Sequence, residues 1–221
     1  MTEIENPIVP TSAPLGADYF SVFALPRKLT LDVKALERAF YRRSREVHPD
    51  RFANAPAEKQ QWSLEQTSLL NDAYRALKDP IARTEYLLQL QGLVAPDAAR
   101  RGETSASAKD AKNQVPAELL AEVFELNMQL EEMRMNAKMG EEDPQLRADL
   151  EASRTAFEAQ FSELGTSIEA QWTRWDAAVD ADDSAGQQAA AEAMAALLDK
   201  RRYIANLVRD VRAALAPEPT A

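Results

Sequence analysis

The 221-residue sequence has no cysteine and one histidine, His48. Disulfides, thiolate metal sites, iron–sulfur ligation and cysteine nucleophiles are excluded for this chain. With a single imidazole, a hydrolytic triad or a metal site would depend on carboxylates and serines in unrecognised arrangements, so no enzyme and no cofactor are expected. Glycine is scarce, at six residues, and β-branched runs are few. Ala, Leu, Glu, Arg and Gln dominate instead, which favours an all-α chain on propensity alone. No apolar run is long enough to span a bilayer. The start, with Glu3, Glu5, Pro7, Pro10 and Pro14 before Gly16, lacks the basic stretch and hydrophobic core of a targeting segment, so a cytoplasmic protein is expected. Positive charge is also in short supply. Against 36 Asp and Glu stand 26 Lys and Arg, a net charge of −10, which disfavours general binding to nucleic acid or an anionic membrane.

Composition divides the chain. Residues 1–16 and 216–221 read as disordered ends, and 93–116, which includes the run DAARRGETSASAKDAKNQVP, reads as a linker. Between them lie a first block over 17–92 and a second over 117–215, both of domain size. In the first, Val33, Leu36, Phe40 and Val47 share one side of a helix over about 32–47, capped by Thr30 or Asp32. Pro49 ends it, because proline disfavours helical geometry at the residue before it and has no amide hydrogen. A second helix over about 56–78 carries Leu70, Ala73, Tyr74 and Leu77 at i, i+3, i+4, i+7 and can pair with the first as a hairpin. A third restarts at Pro80 with Asp79 as its cap, burying Tyr86, Leu87 and Leu90 and stopping at Gly92.

The second block reads as a three-helix bundle. Its first helix spans about 117–139 and ends at Gly140. The second starts behind an Asp143 cap and carries Leu146, Leu150, Phe157, Phe161, Leu164, Ile168, Trp175 and Val179, with Gly165 a local weakness. The third follows the turn at 182–186 and presents Ala193, Leu197, Ile204, Val208, Val211 and Leu215.

His48, Pro49 and Asp50 lie between the first two helices, directly after Arg38, Arg42, Arg43 and Arg45. Taken alone, a histidine ending a helix is often a C-terminal cap, and Pro-Asp is common turn chemistry. The context is more telling. From Arg27 to Arg51 there are eight Lys and Arg against four Asp and Glu, so an acidic protein carries one basic face, suited to steering an acidic partner surface. The basic helix, His48-Pro49-Asp50 and the following Asn71-x-Ala73-Tyr74-x-x-Leu77 resemble a J-domain. The resemblance implies docking on an ATPase chaperone of the DnaK type, with stimulation of its ATP hydrolysis, through His48, Pro49, Asp50, Arg42, Arg43 and Arg45. Tyr41 stands where many J-domains carry lysine, so a retuned dock is expected.

On the helix from 117, Leu119, Val123, Leu126, Leu130 and Met133 occupy one sector, as a bundle core requires. Leu120, Phe124 and Met128 form a second apolar strip about 140° round, bordered by Glu125, Glu131 and Glu132. Glu118 to Glu158 holds eleven acidic residues and four basic ones, so a partner for that strip should be basic. The strip could instead pack against the first block or a dimer mate. Asp18 to Phe23, Asp50-Arg51-Phe52 and Arg83-Thr84-Glu85-Tyr86-Leu87-Leu88, followed by this acidic bundle, resemble the HscB (Jac) family of iron–sulfur co-chaperones. That resemblance implies an N-terminal J-domain helical hairpin plus a C-terminal bundle that binds an IscU-type assembly scaffold and delivers it to an HscA-type chaperone. By position, Leu120, Phe124, Glu125, Met128, Glu132 and Tyr203 would face the scaffold, with Ala121 and Met128 departing from the family pattern. Three readings remain open: an iron–sulfur co-chaperone, a J-domain adaptor with a different client, and a structural bundle whose histidine is incidental.

Overall fold

The structure is a computed structural model that describes residues 18–94 and 117–216. The expected disordered start at 1–16, the linker from 95 to 116 and the tail from 217 lie outside the described residues. All regular structure among the described residues is helical. The chain divides into two compact units between Leu90 and Gln91.

The first unit opens with a helical turn that the apolar pattern did not suggest, α1 (Tyr19–Val22). The Asp18 side chain accepts from the Ser21 amide at 2.9 Å and pairs with Arg27 at 2.6 Å, which closes one turn too short for periodicity to register. Behind it Phe20, Val22, Phe23 and Leu29 are buried. Helix α2 (Val33–Val47) starts at Asp32, whose carboxylate accepts from the Ala35 amide at 3.1 Å. Helix α3 (Ala57–Lys78) packs along it, with Leu70, Ala73 and Leu77 buried, as is Leu36 of α2. Phe40 and Tyr74 stack with ring centroids 4.2 Å apart, so the aromatic pair joins the two helices from the edge of the core and not its centre. Helix α4 (Pro80–Leu90) begins with the Ala82 amide donating to the Asp79 side chain at 2.7 Å. Its buried pair is Leu87 and Leu88, whereas Leu90 is exposed. Two adjacent leucines and a third two residues on leave the phase ambiguous in sequence; Tyr86 decides it by stacking on Tyr19 at 4.2 Å. Arg83 is buried and donates to the Leu77 carbonyl at 2.7 Å, satisfying an acceptor that α3 leaves open at its end.

The second unit begins with a short 3-10 turn at Ala117–Leu119 and continues as α5 (Leu120–Met139). Gly140, at φ +70°, ends it, and the Gly140 and Glu141 amides return to the Ala137 and Asn136 carbonyls, the paired closure that a left-handed residue allows. Asp143 caps α6 (Pro144–Asp180), and Asp183 caps α7 (Ser184–Leu215). Gly165 interrupts neither helix nor stripe. At 1.5 Å per residue α6 and α7 run about 55 and 48 Å and α5 only about 30 Å. The expected three-helix bundle is therefore three-helical at one end only. There Leu119, Val123, Leu126 and Leu130 meet Leu146, Leu150, Phe157, Leu164, Ile204, Val208, Val211 and Leu215. Beyond α5's reach, α6 and α7 form a two-helix hairpin over Ile168, Trp175, Ala178, Ala190, Ala191, Met194 and Leu198. Ala193 and Leu197, expected on the seam, are half-buried. Adjacent apolar pairs at 190/191 and 197/198 make two phases look alike in sequence, and the alanines let the paired helices approach closely.

Candidate docking surfaces

Proline sets the geometry of the first surface. Pro49 has no amide hydrogen, so the Arg45 carbonyl, four residues before it, loses its helical partner. Arg51 supplies the substitute, donating to that carbonyl at 3.0 Å. The Val47 carbonyl is taken by the Ser63 and Thr67 hydroxyls of α3, at 2.6 and 3.3 Å. With its end bonded on both sides, the chain turns through an extended His48 (φ −59°, ψ 131°) into a 3-10 turn at Pro49–Phe52, in place of the open loop expected. The His48 Nδ1 lies 3.3 Å from the Asp50 amide and 3.6 Å from its carboxylate. The side chains of His48 and Asp50 are 52% and 91% exposed; the tripeptide is presented and not consumed by the fold.

The arginines before it do not all point the same way. At 100° per residue Lys34, Arg38, Tyr41, Arg42 and Arg45 fall within a sector of about 100°, and all five are exposed. Arg43 lies on another side, half-buried, with its guanidinium donating to the Val22 carbonyl. Of the three arginines singled out in sequence, the structure gathers Arg42 and Arg45 on the open face and turns Arg43 to the α1 end, while Lys34 and Arg38 join the face. Tyr41 occupies the middle of that face at 56% exposure. Beside it, the Lys78 ammonium sits 5.3 Å from the Tyr74 ring centroid, and a hydrogen bond to Tyr74 raises its pKa above the ordinary lysine value. A cation from α3 therefore stands near the position where α2 carries tyrosine.

The second surface is on α5. Leu119, Val123, Leu126 and Leu130 are buried, whereas Leu120, Phe124 and Met128 are 54%, 68% and 60% exposed, so the strip is no part of the core of its own unit. Glu125, Glu131 and Glu132 border it and are exposed. Two further residues that the sequence reading did not include, because Glu131 and Glu132 break the apolar run after Met128, extend it: Met135 and Met139, 55% and 60% exposed, lie within the same sector of about 100°. Tyr203 is placed differently. It is half-buried against the core cluster of its unit, and burial pushes its phenol pKa up. Glu118, just ahead of the strip, pairs with Lys200, one turn before Tyr203, and the bond lowers the Glu118 carboxyl pKa. Among the described residues no group of His, Asp or Glu is arranged to hold a metal ion, and no helix is long and apolar enough to cross a membrane.

No protein-family model matches the chain. Curated relatives do, each named a co-chaperone protein HscB homolog. The match is 35% identical over 127 residues in Azoarcus sp. (strain BH72), covering 58% of this chain and 65% of that protein. In Aromatoleum aromaticum it is 38% over 82 residues, or 37% and 46% of the two chains, and in Bordetella avium 42% over 76 residues, or 34% and 45%. The matched region thus spans less than two thirds of the length of each of these relatives. The HscB chaperone of Vibrio cholerae superposes with a TM-score of 0.55 at 28% identity, covering 89% of this chain and 96% of that one. Human co-chaperone protein HscB shares the fold, with a TM-score of 0.51 at 24% identity over 89% and 81% of the two chains. Relatives in sequence and neighbours in structure thus carry the same name, and the resemblance to the HscB co-chaperones borne by the motifs is shown by sequence and fold alike.

Proposed function

We propose that this chain is an iron–sulfur co-chaperone that joins two partners without catalysis of its own. One end, the J-domain over 17–92, docks on an ATPase chaperone of the DnaK or HscA type and stimulates its hydrolysis of ATP. The other, the bundle over 117–215, holds an IscU-type assembly scaffold, so that the chaperone receives it and promotes cluster transfer. The observation that carries the reading is an exposed His48-Pro49-Asp50 turn, pinned on both sides at the end of an open cationic face, in a chain whose other unit exposes large apolar side chains among carboxylates. Cations steer an acidic chaperone surface and fix its register, and the turn supplies a rigid contact. Arg42 and Arg45, with Lys34 and Arg38, make the steering face; Arg43 holds α2 to α1. On α5, Leu120, Phe124 and Met128 provide apolar anchors, Glu125 and Glu132 select basic neighbours, and Tyr203 supports the α7 side. Both partners and the assembly they form are cytoplasmic in this reading.

Steady-state ATP hydrolysis by a DnaK-type chaperone tests it. The intact chain should accelerate hydrolysis, and His48→Gln should fold normally and accelerate nothing. Leu120→Ser with Phe124→Ser should retain basal stimulation and lose the scaffold. Full stimulation by the His48 variant removes the J-domain assignment, and stimulation without any scaffold binding leaves an adaptor for another client.

A further inference from the structure

The exposed apolar strip of α5 is longer than the segment to which scaffold binding is assigned above. Leu120, Phe124, Met128, Met135 and Met139 are each more than half exposed, and they run from the first residue of α5 to the last, about 28 Å along the axis. Large apolar side chains left open along one side of a helix mark a candidate interaction site. Its composition changes along its length. A leucine and a phenylalanine occupy the N-terminal half; three of the chain's six methionines follow. Unbranched, polarizable thioethers adapt to an irregular partner surface, and a helix that needed only solubility would carry polar residues at 135 and 139. Met133, two residues from Met135, is packed against the core, so burial accounts for one methionine of the helix and leaves the exposed ones unexplained.

We infer that the docking face for the scaffold runs the full length of α5, with Met135 and Met139 as a second contact beyond Leu120, Phe124 and Met128. This rests on the scaffold reading and deepens it. The border of the strip chooses the occupant. At 100° per residue Glu125 and Glu132 line one edge and Arg134 the other, while Glu131, paired to Arg134 at 3.2 Å, falls inside the sector between Met128 and Met135, and Lys138 falls inside it beside Met139. A second copy laid antiparallel about a two-fold axis would set the Glu125 edge of one helix against the Glu132 edge of the other, placing like charges together. A foreign segment whose apolar face carries lysine or arginine opposite Glu125 and Glu132 meets no such repulsion. The uneven border also fixes its direction, with cations opposite 125–132 and none required beside Lys138.

Calorimetric titration of an apo IscU-type scaffold into the full chain, the Leu120→Ser/Phe124→Ser variant and the Met135→Ser/Met139→Ser variant tests this. Sedimentation of each protein and ATPase stimulation in the absence of scaffold accompany it. The methionine variant should weaken binding about tenfold, with unchanged helicity and unchanged scaffold-free stimulation. Equal affinity for the methionine variant and the intact chain, with loss in the Leu120/Phe124 variant, overturns the extension and leaves the scaffold reading standing. No binding by the intact chain overturns both. A dimer of the intact chain that the methionine variant dissolves assigns the strip to a second copy and overturns the inference.

Discussion

The contrast between two neighbouring arginines is the most exacting consequence of the structure. Arg42 and Arg43 are indistinguishable in composition, yet Arg42 stands free on the open face and Arg43 donates to the Val22 carbonyl. Arg43→Ala removes a charge-assisted hydrogen bond and strips the partner from a backbone carbonyl next to buried Phe20 and Phe23. Bonds to charged groups are worth about 1.5–3 kcal/mol when buried, and half-burial places this one near the lower end, about 1.5 kcal/mol. By the relation of ten-fold to 1.4 kcal/mol, amide exchange that proceeds through opening of the first unit should quicken about tenfold. Arg42→Ala should leave exchange in α2 and α3 unaltered. It should instead raise the concentration needed for half-maximal ATPase stimulation about threefold and flatten the salt dependence, as for an exposed steering charge. Peptide-resolved hydrogen exchange and stimulation measured at several salt concentrations give the two readouts. If Arg43→Ala leaves exchange unchanged and impairs docking as much as Arg42→Ala, the division of α2 into a steering face and an anchoring side is wrong.

Three other perturbations test different parts of the structure. Trp175→Ala opens a cavity in the two-helix part of the second unit, where the indole is 1% exposed, and should cost about 3–5 kcal/mol in urea unfolding. Gly140→Ala forces a side chain into a left-handed conformation and should cost about 1 kcal/mol by the same measurement. Asp18→Asn tests pH. Burial opposes ionisation of Asp18, but the Ser21 amide and Arg27 outweigh it and hold the carboxyl below the ordinary carboxylate range. A depressed folded-state pKa adds stability that is complete above the unfolded value of about 3.9 and disappears as pH falls through the folded value. Asparagine keeps the cap, so the variant should be less stable at neutral pH by only about 0.2–1 kcal/mol, the range for a partly exposed ion pair, with the gap closing in acid; a gap independent of pH would show that the carboxylate's charge plays no part.

Much of the fold was legible because its signals are local. Asp79 and Asp143 cap the helices they precede and Asp32 is the cap of the Thr30/Asp32 pair, the turn at 182–186 precedes another helix, Gly140 ends one, and Pro49 breaks another. The parts that were not legible depend on distant partners. Turn α1 has too few residues to show a period, and its identity rests on Tyr86, 67 residues away. Arg83 reads as a surface cation until the end of α3 is known to need a donor. The register of α7 is degenerate where alanines and leucines come in pairs, and only contact with α6 selects 190, 194 and 198 over 193 and 197. The site shows the same division. His48-Pro49-Asp50 was visible as a motif, and helical spacing alone sets Arg43 about 100° from Arg42, but the Val22 carbonyl that takes its guanidinium is known only once α1 is in place. On α5, apolar residues lie on two sides, so their periodicities cancel; exposure then separates core from strip and adds Met135 and Met139.

The central claim is that the chain couples two partners, and it is tested most directly by the ATPase rate of a DnaK-type chaperone with the chain, with an IscU-type scaffold, and with both. The account predicts that both together accelerate hydrolysis beyond the sum of their separate effects. It also predicts that either His48→Gln or Leu120→Ser/Phe124→Ser abolishes the excess. Strict additivity with the intact chain, at saturating concentrations of each protein, would contradict it.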